Sequence, residues 1–145
     1  ADDDEVARRN TANLAWLNAT FDQAEHDDAP GVLIMMQANP GLEFDQSVAD
    51  RHGYEDFLAT LEARAAAYGK PVVLAHGDSH FFRIDKPLFS RKTNRAFENF
   101  TRVETFGWPD SHWVRVTVDP ADPQLFRFRA EVVPGNVVNR KRQNP

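Results

Sequence analysis

The chain has 145 residues, of which 41% are hydrophobic, and its formal net charge is -5. This apolar content, with 11 Phe and 3 Trp, suits one domain with a hydrophobic core and argues against a disordered chain. The acidic balance gives no electrostatic reason to expect nucleic acid or an anionic membrane surface as a partner. The chain has no Cys, which excludes thiol catalysis, Cys-based zinc sites and disulfides.

No apolar run approaches the roughly 18 residues that are needed to span a membrane. The sequence therefore predicts a soluble protein, either cytoplasmic or, after removal of a signal peptide, periplasmic or secreted. Residue 1 is Ala rather than Met, which indicates an N-terminus that was processed, engineered or cut. The basic cluster at residues 139–142 is expected to be a solvated tail.

The first half of the chain predicts two helices and two strands. Residues 5–25 form an amphipathic pattern, with Trp16 near its apolar edge. Residues 32–36 are a continuous apolar run, which is typical of a strand covered on both faces. A second helical pattern covers residues 53–68, and a second apolar run covers residues 72–75. Strand, helix and strand in this order predict a crossover with parallel strands, whose carboxyl ends lie side by side.

Beyond residue 80 the pattern predicts strands without helices between them. Apolar residues alternate with polar ones over residues 113–118 and 126–131, and residues 119–123 form a turn segment. These runs predict an antiparallel hairpin with one wet face, and residues 101–106 predict a third strand. The expected fold is a single α/β domain with the order α-β-α-β followed by strands and a hairpin.

The candidate functional residues follow the two predicted parallel strands. In open sheets, ligands collect beyond the carboxyl ends of parallel strands. Gln37 and Asn39 follow the first strand, and His76, Asp78 and His80 end or follow the second. Two imidazoles and a carboxylate within five residues suit a divalent transition ion. The same spacing fits a structural alternative equally well, in which the imidazoles cap backbone groups and Asp78 makes a turn.

These motifs resemble the second half of the calcineurin-like metallophosphoesterase pattern. Residues 77–80, Gly-Asp-Ser-His, are similar to the Gly-His-x-His motif of that family, with Asp78 in place of the first His. Gln-Ala-Asn-Pro from residue 37 is similar to the upstream His segment of the family, with Gln37 at the ligand position. The resemblance, which points to a bacterial subset, continues over residues 81–87, 99–106 and 112–116.

The resemblance implies that residues 1–145 are the C-terminal half of a larger metallophosphoesterase-like α/β sandwich. It implies that His80 binds one divalent ion, which would be Mn, Fe, Zn or Mg. Asp78 and Gln37 would be altered ligands of a second ion, and His76 would substitute for a ligand or support one. A carboxylate can replace an imidazole on a hard ion, but an amide oxygen is a poorer donor, so the second site should be weak.

Cations near a metal site favour anionic substrates, and Arg83 and Asn39 are the candidate residues for binding a phosphate ester. Lys86 is more typical of surface charge. Trp108 is expected to pack against other residues, and His112 is expected to pack or to be exposed at the surface rather than to bind a ligand.

The first half of the family pattern is missing from the chain. Asp-x-His, Gly-Asp-x-x-Asp and Gly-Asn-His hold two ions in the family, and none of them occurs before residue 30. Two ions about 3.5 to 4 Å apart would generate hydroxide and stabilise displacement at phosphorus. One hypothesis is therefore a phosphoesterase that acts once joined to its N-terminal half and is inactive alone. The alternative is a non-catalytic half domain that binds a partner or assembles with a second copy of itself.

Overall fold

A computed structural model describes residues 3–43, 53–90, 93 and 95–137. The basic cluster at residues 139–142 lies outside these residues. Within them the helices and strands follow in the order α1 (Asp3–His26), β1 (Val32–Met35), α2 (Glu55–Tyr68), β2 (Val72–His76), β3 (Arg83–Asp85), β4 (Phe100–Glu104), β5 (Trp113–Val118) and β6 (Phe126–Glu131). The protein thus has a mixed α/β fold.

The main sheet has four strands in the order β1-β2-β4-β3. β1 pairs with β2 in parallel, from Val32 opposite Val72 to Met35 opposite Ala75, which confirms the predicted crossover. β4 also runs parallel to β2, whereas β3 runs antiparallel to β4. The third predicted strand therefore belongs to the parallel sheet, which its sequence alone did not indicate.

Both helices pack on one face of the main sheet, and the core lies between them. α2 ends at Gly69, which adopts φ 68° and donates its amide to Ala65 O, as left-handed glycine caps do. The rings of Phe21 and Tyr68 meet edge-on at 5.8 Å between the two helices. The core comprises Leu17, Phe21, Ala24, Val32, Leu42, Leu58, Leu61, Ala65, Tyr68, Val72, Leu74, Leu88 and Phe100. In the described part of the chain, no helix is long and apolar enough to cross a membrane.

β1 is covered on one face only, so the prediction of a strand buried on both faces is wrong for the described residues. Val32 is buried and Ile34 packs against the helix-side core. Leu33 and Met35 point to the opposite face, where they are 37% and 78% exposed. Trp16, which was expected near the apolar edge of α1, is 76% exposed. The β5–β6 hairpin contacts β2 and β4, and no described element covers the same face of β1.

β5 and β6 pair as the predicted antiparallel hairpin, from Trp113 opposite Glu131 to Val118 opposite Phe126. On β6, Phe126 and Phe128 line a groove of about 270 Å³ together with Val73 and Thr101 of the main sheet. Val116 and Val118 of β5 remain exposed. The alternation therefore predicted the hairpin correctly, but it did not predict how little of β5 would be buried.

Gly31, which precedes β1, provides a test of how the hairpin contacts the sheet. A Cβ atom added at residue 31 would lie 2.3 Å from Leu125 Cδ2 and 2.7 Å from Pro71 O. Since a backbone carbonyl cannot move aside easily, we expect Gly31→Ala to lower the free energy of unfolding by about 1–3 kcal/mol in urea denaturation. Gly135→Ala is the matched control, because nothing lies within 4 Å of a Cβ atom there. Equal stability of the two variants would contradict the close approach.

Candidate functional site

The carboxyl ends of β1 and β2 meet, as the predicted crossover requires. The Met36 amide donates to Ala75 O at 3.0 Å, and the Gly77 amide donates to Gln37 O at 3.1 Å. These backbone bonds bring the two following loops together. Gln37 Nε2 then donates to Asp78 Oδ1 at 3.1 Å. Two of the residues that the sequence singled out therefore lie in direct contact at this edge of the sheet.

The loop that follows β2 has an unusual backbone. Asp78 and His80 adopt φ 80° and φ 59°, in the left-handed region that favours glycine. Each such residue costs about 1–3 kcal/mol unless its surroundings hold it in place, and residues of this kind cluster at binding sites. Ser79, which lies between them, donates its hydroxyl to Glu104 Oε1. The loop is thus held in a conformation that its side chains do not favour.

The His80 imidazole has a defined position and a defined tautomer. Its Nδ1 lies 2.8 Å from Trp108 O, and since a carbonyl oxygen can only accept, Nδ1 carries the proton. In the neutral imidazole, Nε2 then keeps its lone pair, which is the arrangement that metal-binding imidazoles adopt. The ring lies directly over Gly107, where an added Cβ atom would be 2.2 Å from His80 Cδ2. Trp108 itself is 77% exposed, so the packing expected for its side chain is not observed.

His76 lies in a different environment from His80. It is only 2% exposed, and it points to the same face of β2 as the core residue Leu74. Its Nδ1 donates to Gly77 O at 3.2 Å, while its Nε2 is buried and has no hydrogen-bond partner. An unpaired buried nitrogen of this kind is unfavourable and is free to accept a proton donor or a cation.

Beside His76, the helix-side face of β3 and β4 is charged rather than apolar. Glu104 is fully buried and accepts a hydrogen bond from Arg83 Nε at 2.5 Å. Arg102 is also buried; its guanidinium bonds to both carboxylate oxygens of Asp85 and, at 2.7 Å, to Glu43 Oε2. We call Glu43, Arg83, Asp85, Arg102 and Glu104 the charged cluster. Sequence analysis missed Arg102, although charges at two alternate positions of an otherwise uncharged strand indicate one polar face.

Both predicted substrate-binding residues contact the charged cluster. Arg83 reaches Glu43 Oε1 at 3.3 Å in addition to Glu104. Asn39 Nδ2 donates to Glu43 Oε1 at 2.6 Å, and Asn39 Oδ1 accepts from the Gly41 amide at 3.0 Å. A phosphate group would have to compete with these contacts, and binding of a phosphate ester by Asn39 and Arg83 stays a prediction. Lys86 pairs with Glu98 at the surface, and His112 packs edge-on against Phe106 at 5.1 Å.

The ionisation of Glu43 reflects its place in the charged cluster. Burial raises the pKa of the Glu43 carboxyl, but the hydrogen bond from Asn39 and the charges of Arg83 and Arg102 lower it. Together the lowering effects exceed the effect of burial, so the pKa of Glu43 lies below its ordinary value. The carboxylate therefore stabilises the fold at pH values above the unfolded-state pKa, which is about 4.3 for Glu. This contribution is lost as the pH falls through the lower pKa of the folded protein.

We expect Glu43→Gln to lower the free energy of unfolding at neutral pH, because it removes the charge that Arg83 and Arg102 face. The difference from the wild type should shrink as the pH falls through the folded-state pKa of Glu43. Urea unfolding between neutral and acidic pH measures this difference. Glu98→Gln is the control, since the Glu98 side chain is exposed and its ion pair with Lys86 spans 3.8 Å. A pH-independent effect of Glu43→Gln would refute the assignment.

Substitutions of Asp78 test whether the fold holds the loop backbone at a φ angle that non-glycine residues disfavour. We expect Asp78→Gly to leave the free energy of unfolding unchanged or to raise it by up to about 1 kcal/mol, because glycine adopts positive φ freely. Asp78→Ala should lower it by about 1 kcal/mol, since alanine is strained there and lacks the carboxylate. Thermal unfolding of both variants measures the contrast. If Asp78→Ala is as stable as Asp78→Gly, the positive φ of residue 78 is not a constraint.

The donors of this site fit part of a divalent metal site and do not complete one. Asp78 offers a carboxylate, His80 an exposed Nε2 and His76 a buried one. Across residues 3–43, 53–90, 93 and 95–137, however, no group of three or more His, Cys, Asp or Glu side chains could hold a metal ion.

Comparisons of the chain with protein-family models, with curated protein sequences and with solved structures find no match. The resemblance to metallophosphoesterases stays a prediction from the sequence motifs around Gln37, Asp78 and His80, whereas the mixed α/β class is seen in the described helices and sheets.

Proposed function

We propose that the chain contributes one side of a metal-dependent phosphoesterase site and that another polypeptide segment completes it. The observation that carries the proposal is the His80 imidazole. Trp108 O accepts a hydrogen bond from Nδ1, and among the described residues Nε2 has no hydrogen-bond partner in this strained, exposed loop. An imidazole fixed in this way is ready to bind a divalent cation.

The contact between Gln37 and Asp78 supports the same proposal. Both side chains lie just past the carboxyl ends of parallel strands, where ligand sites of such sheets occur. Asp78 has one carboxylate oxygen engaged by the Gln37 amide, which leaves the other oxygen available. One carboxylate and one imidazole on a short loop are suitable ligands for Mn²⁺, Fe²⁺, Zn²⁺ or Mg²⁺, although two side chains alone bind such ions weakly.

A second function, a half domain that acts by assembly, is favoured by a different observation. β1 is the last of the described strands of the sheet; it exposes Leu33 and Met35 on one face, and α1 exposes Trp16 on the other. Apolar surface of this kind marks an interaction site more often than a free surface. Such a module would bind a partner without hydrolysing a substrate. The phosphoesterase function would depend on His80, whereas the assembly function would not.

Metal binding and hydrolysis by the purified chain test the first function. We expect weak Mn²⁺ binding in isothermal titration calorimetry and negligible hydrolysis of an aryl phosphate, because the ligand set is incomplete. His80→Ala should abolish Mn²⁺ binding. Gly107→Ala should weaken it, since the added Cβ displaces the His80 ring. His26→Ala is the matched control, because His26 is an exposed imidazole at the far end of α1.

The outcomes separate the hypotheses. Mn²⁺ binding that survives His80→Ala would eliminate His80 as a ligand. Strong hydrolysis by the isolated chain that disappears in His80→Ala would show that the site is complete, against our expectation. Absence of any Mn²⁺ binding to the wild type would leave the assembly function as the better account of the chain.

A further inference from the structure

The two edges of the main sheet differ in how well they are protected. β3 has three residues, carries Arg83 and Asp85, and is followed by Lys86 and Pro87. Short length, charge and nearby proline are the usual features that prevent an edge strand from pairing with another chain. β1, at the other edge, contains the sequence Val-Leu-Ile-Met without a charge or a proline. No described strand pairs with its outer side.

The backbone of β1 presents unpaired groups along this edge. The amides of Val32 and Met36 donate to Pro71 O at 2.9 Å and to Ala75 O at 3.0 Å, on the β2 side. Alternate residues of a strand direct their N–H and C=O groups to opposite sides. Leu33 and Met35 therefore direct their N–H and C=O groups outward, where no described residue pairs with them.

Most of the described side chains next to this edge are apolar, although Arg9, Asn10, Asn13 and Thr20 also line it. Leu33 and Met35 are exposed on the face away from the helices. On the helix face, the edge borders a groove of about 670 Å³ whose wall includes Trp16, Val6 and Phe57. Arg9 is the only charged residue among the described residues that line the groove, and it pairs with Glu5 at 3.6 Å. The described part of this edge therefore carries little charge.

We propose that this edge pairs with the same edge of a second copy of the chain. In an antiparallel pair centred on Ile34, Leu33 of each copy lies opposite Met35 of the other. Opposed residues at such positions exchange two hydrogen bonds, so all four outward-facing backbone groups of each strand are satisfied. The two sheets then form one continuous eight-stranded sheet.

A second copy fits because the edge is complementary to itself. A twofold axis through the centre of an antiparallel pair keeps each face of the sheet on the same side. The α1 helices of both copies therefore lie together and cover Trp16 and Val6, while Leu33 and Met35 of both copies cluster on the other face. Like charges do not oppose each other there, because β1 is uncharged and Arg9 is paired. This interface stands apart from the proposed metal site and does not require it.

Sedimentation velocity of the 145-residue chain, from micromolar concentration upward, tests the proposal. We expect a dimer. Met35→Lys should weaken dimerisation at least about 100-fold, because two unpaired ammonium groups would enter the interface. Met35 is exposed in the single chain, so this variant should keep the wild-type circular dichroism. Val118→Lys, which changes an exposed valine on β5, should remain a dimer.

Amide hydrogen exchange locates the interface. The amides of Leu33 and Met35 should be protected in the wild type and should exchange rapidly in Met35→Lys. A wild-type chain that stays monomeric would overturn the proposal and would leave the edge to a strand from a different polypeptide. A Met35→Lys variant that dimerises as well as the wild type would also overturn it, because the contact would then lie elsewhere.

Discussion

Parallel backbone pairing between β1 and β2 determines where the functional loops of this protein lie. Both strands end at the same edge of the sheet, so the Gly77 amide reaches Gln37 O and the side chains of Gln37 and Asp78 meet. A shift of one residue in this register would turn the core-facing side chains of β1 toward the opposite face. The burial of Val32 and Ile34 against the helices therefore also fixes the geometry of the loops.

The parts of the fold that depend on residues close together in the chain were predictable from the sequence. The helices, the crossover and the hairpin follow from periodic patterns within single segments. The site was predictable only to the extent that it follows from this crossover, which brings Gln37 to Asp78. The orientation of His80 was not predictable, because it depends on Gly107 and on the Trp108 carbonyl, which lie 27 and 28 residues further along the chain.

Two other features required knowledge of distant contacts. Arg102 pairs with Glu43, which is 59 residues away in the chain, and no local pattern specifies such a partner. The apolar run of β1 predicted a buried strand. Composition indicates which environment a strand is suited to, but it does not show which elements cover the strand. Its exposed edge became apparent only with the strand order. The proposed antiparallel dimer would place residue 31 of the second copy beside Gln37, so it would not bring a second Asp78 loop to the metal site.

The helix-side face of the sheet is apolar near the amino ends of the parallel strands and charged near their carboxyl ends. Val72 and Phe100 lie at one end, and Arg102 and Glu104 lie at the other. Apolar burial contributes less on cooling, whereas the cost of dehydrating buried ions falls on heating. Both contributions therefore weaken on cooling, and the ionic contribution continues to gain on heating after apolar burial has levelled off. The charged ends, which carry the candidate site, are therefore expected to gain stability relative to the apolar ends as the temperature rises.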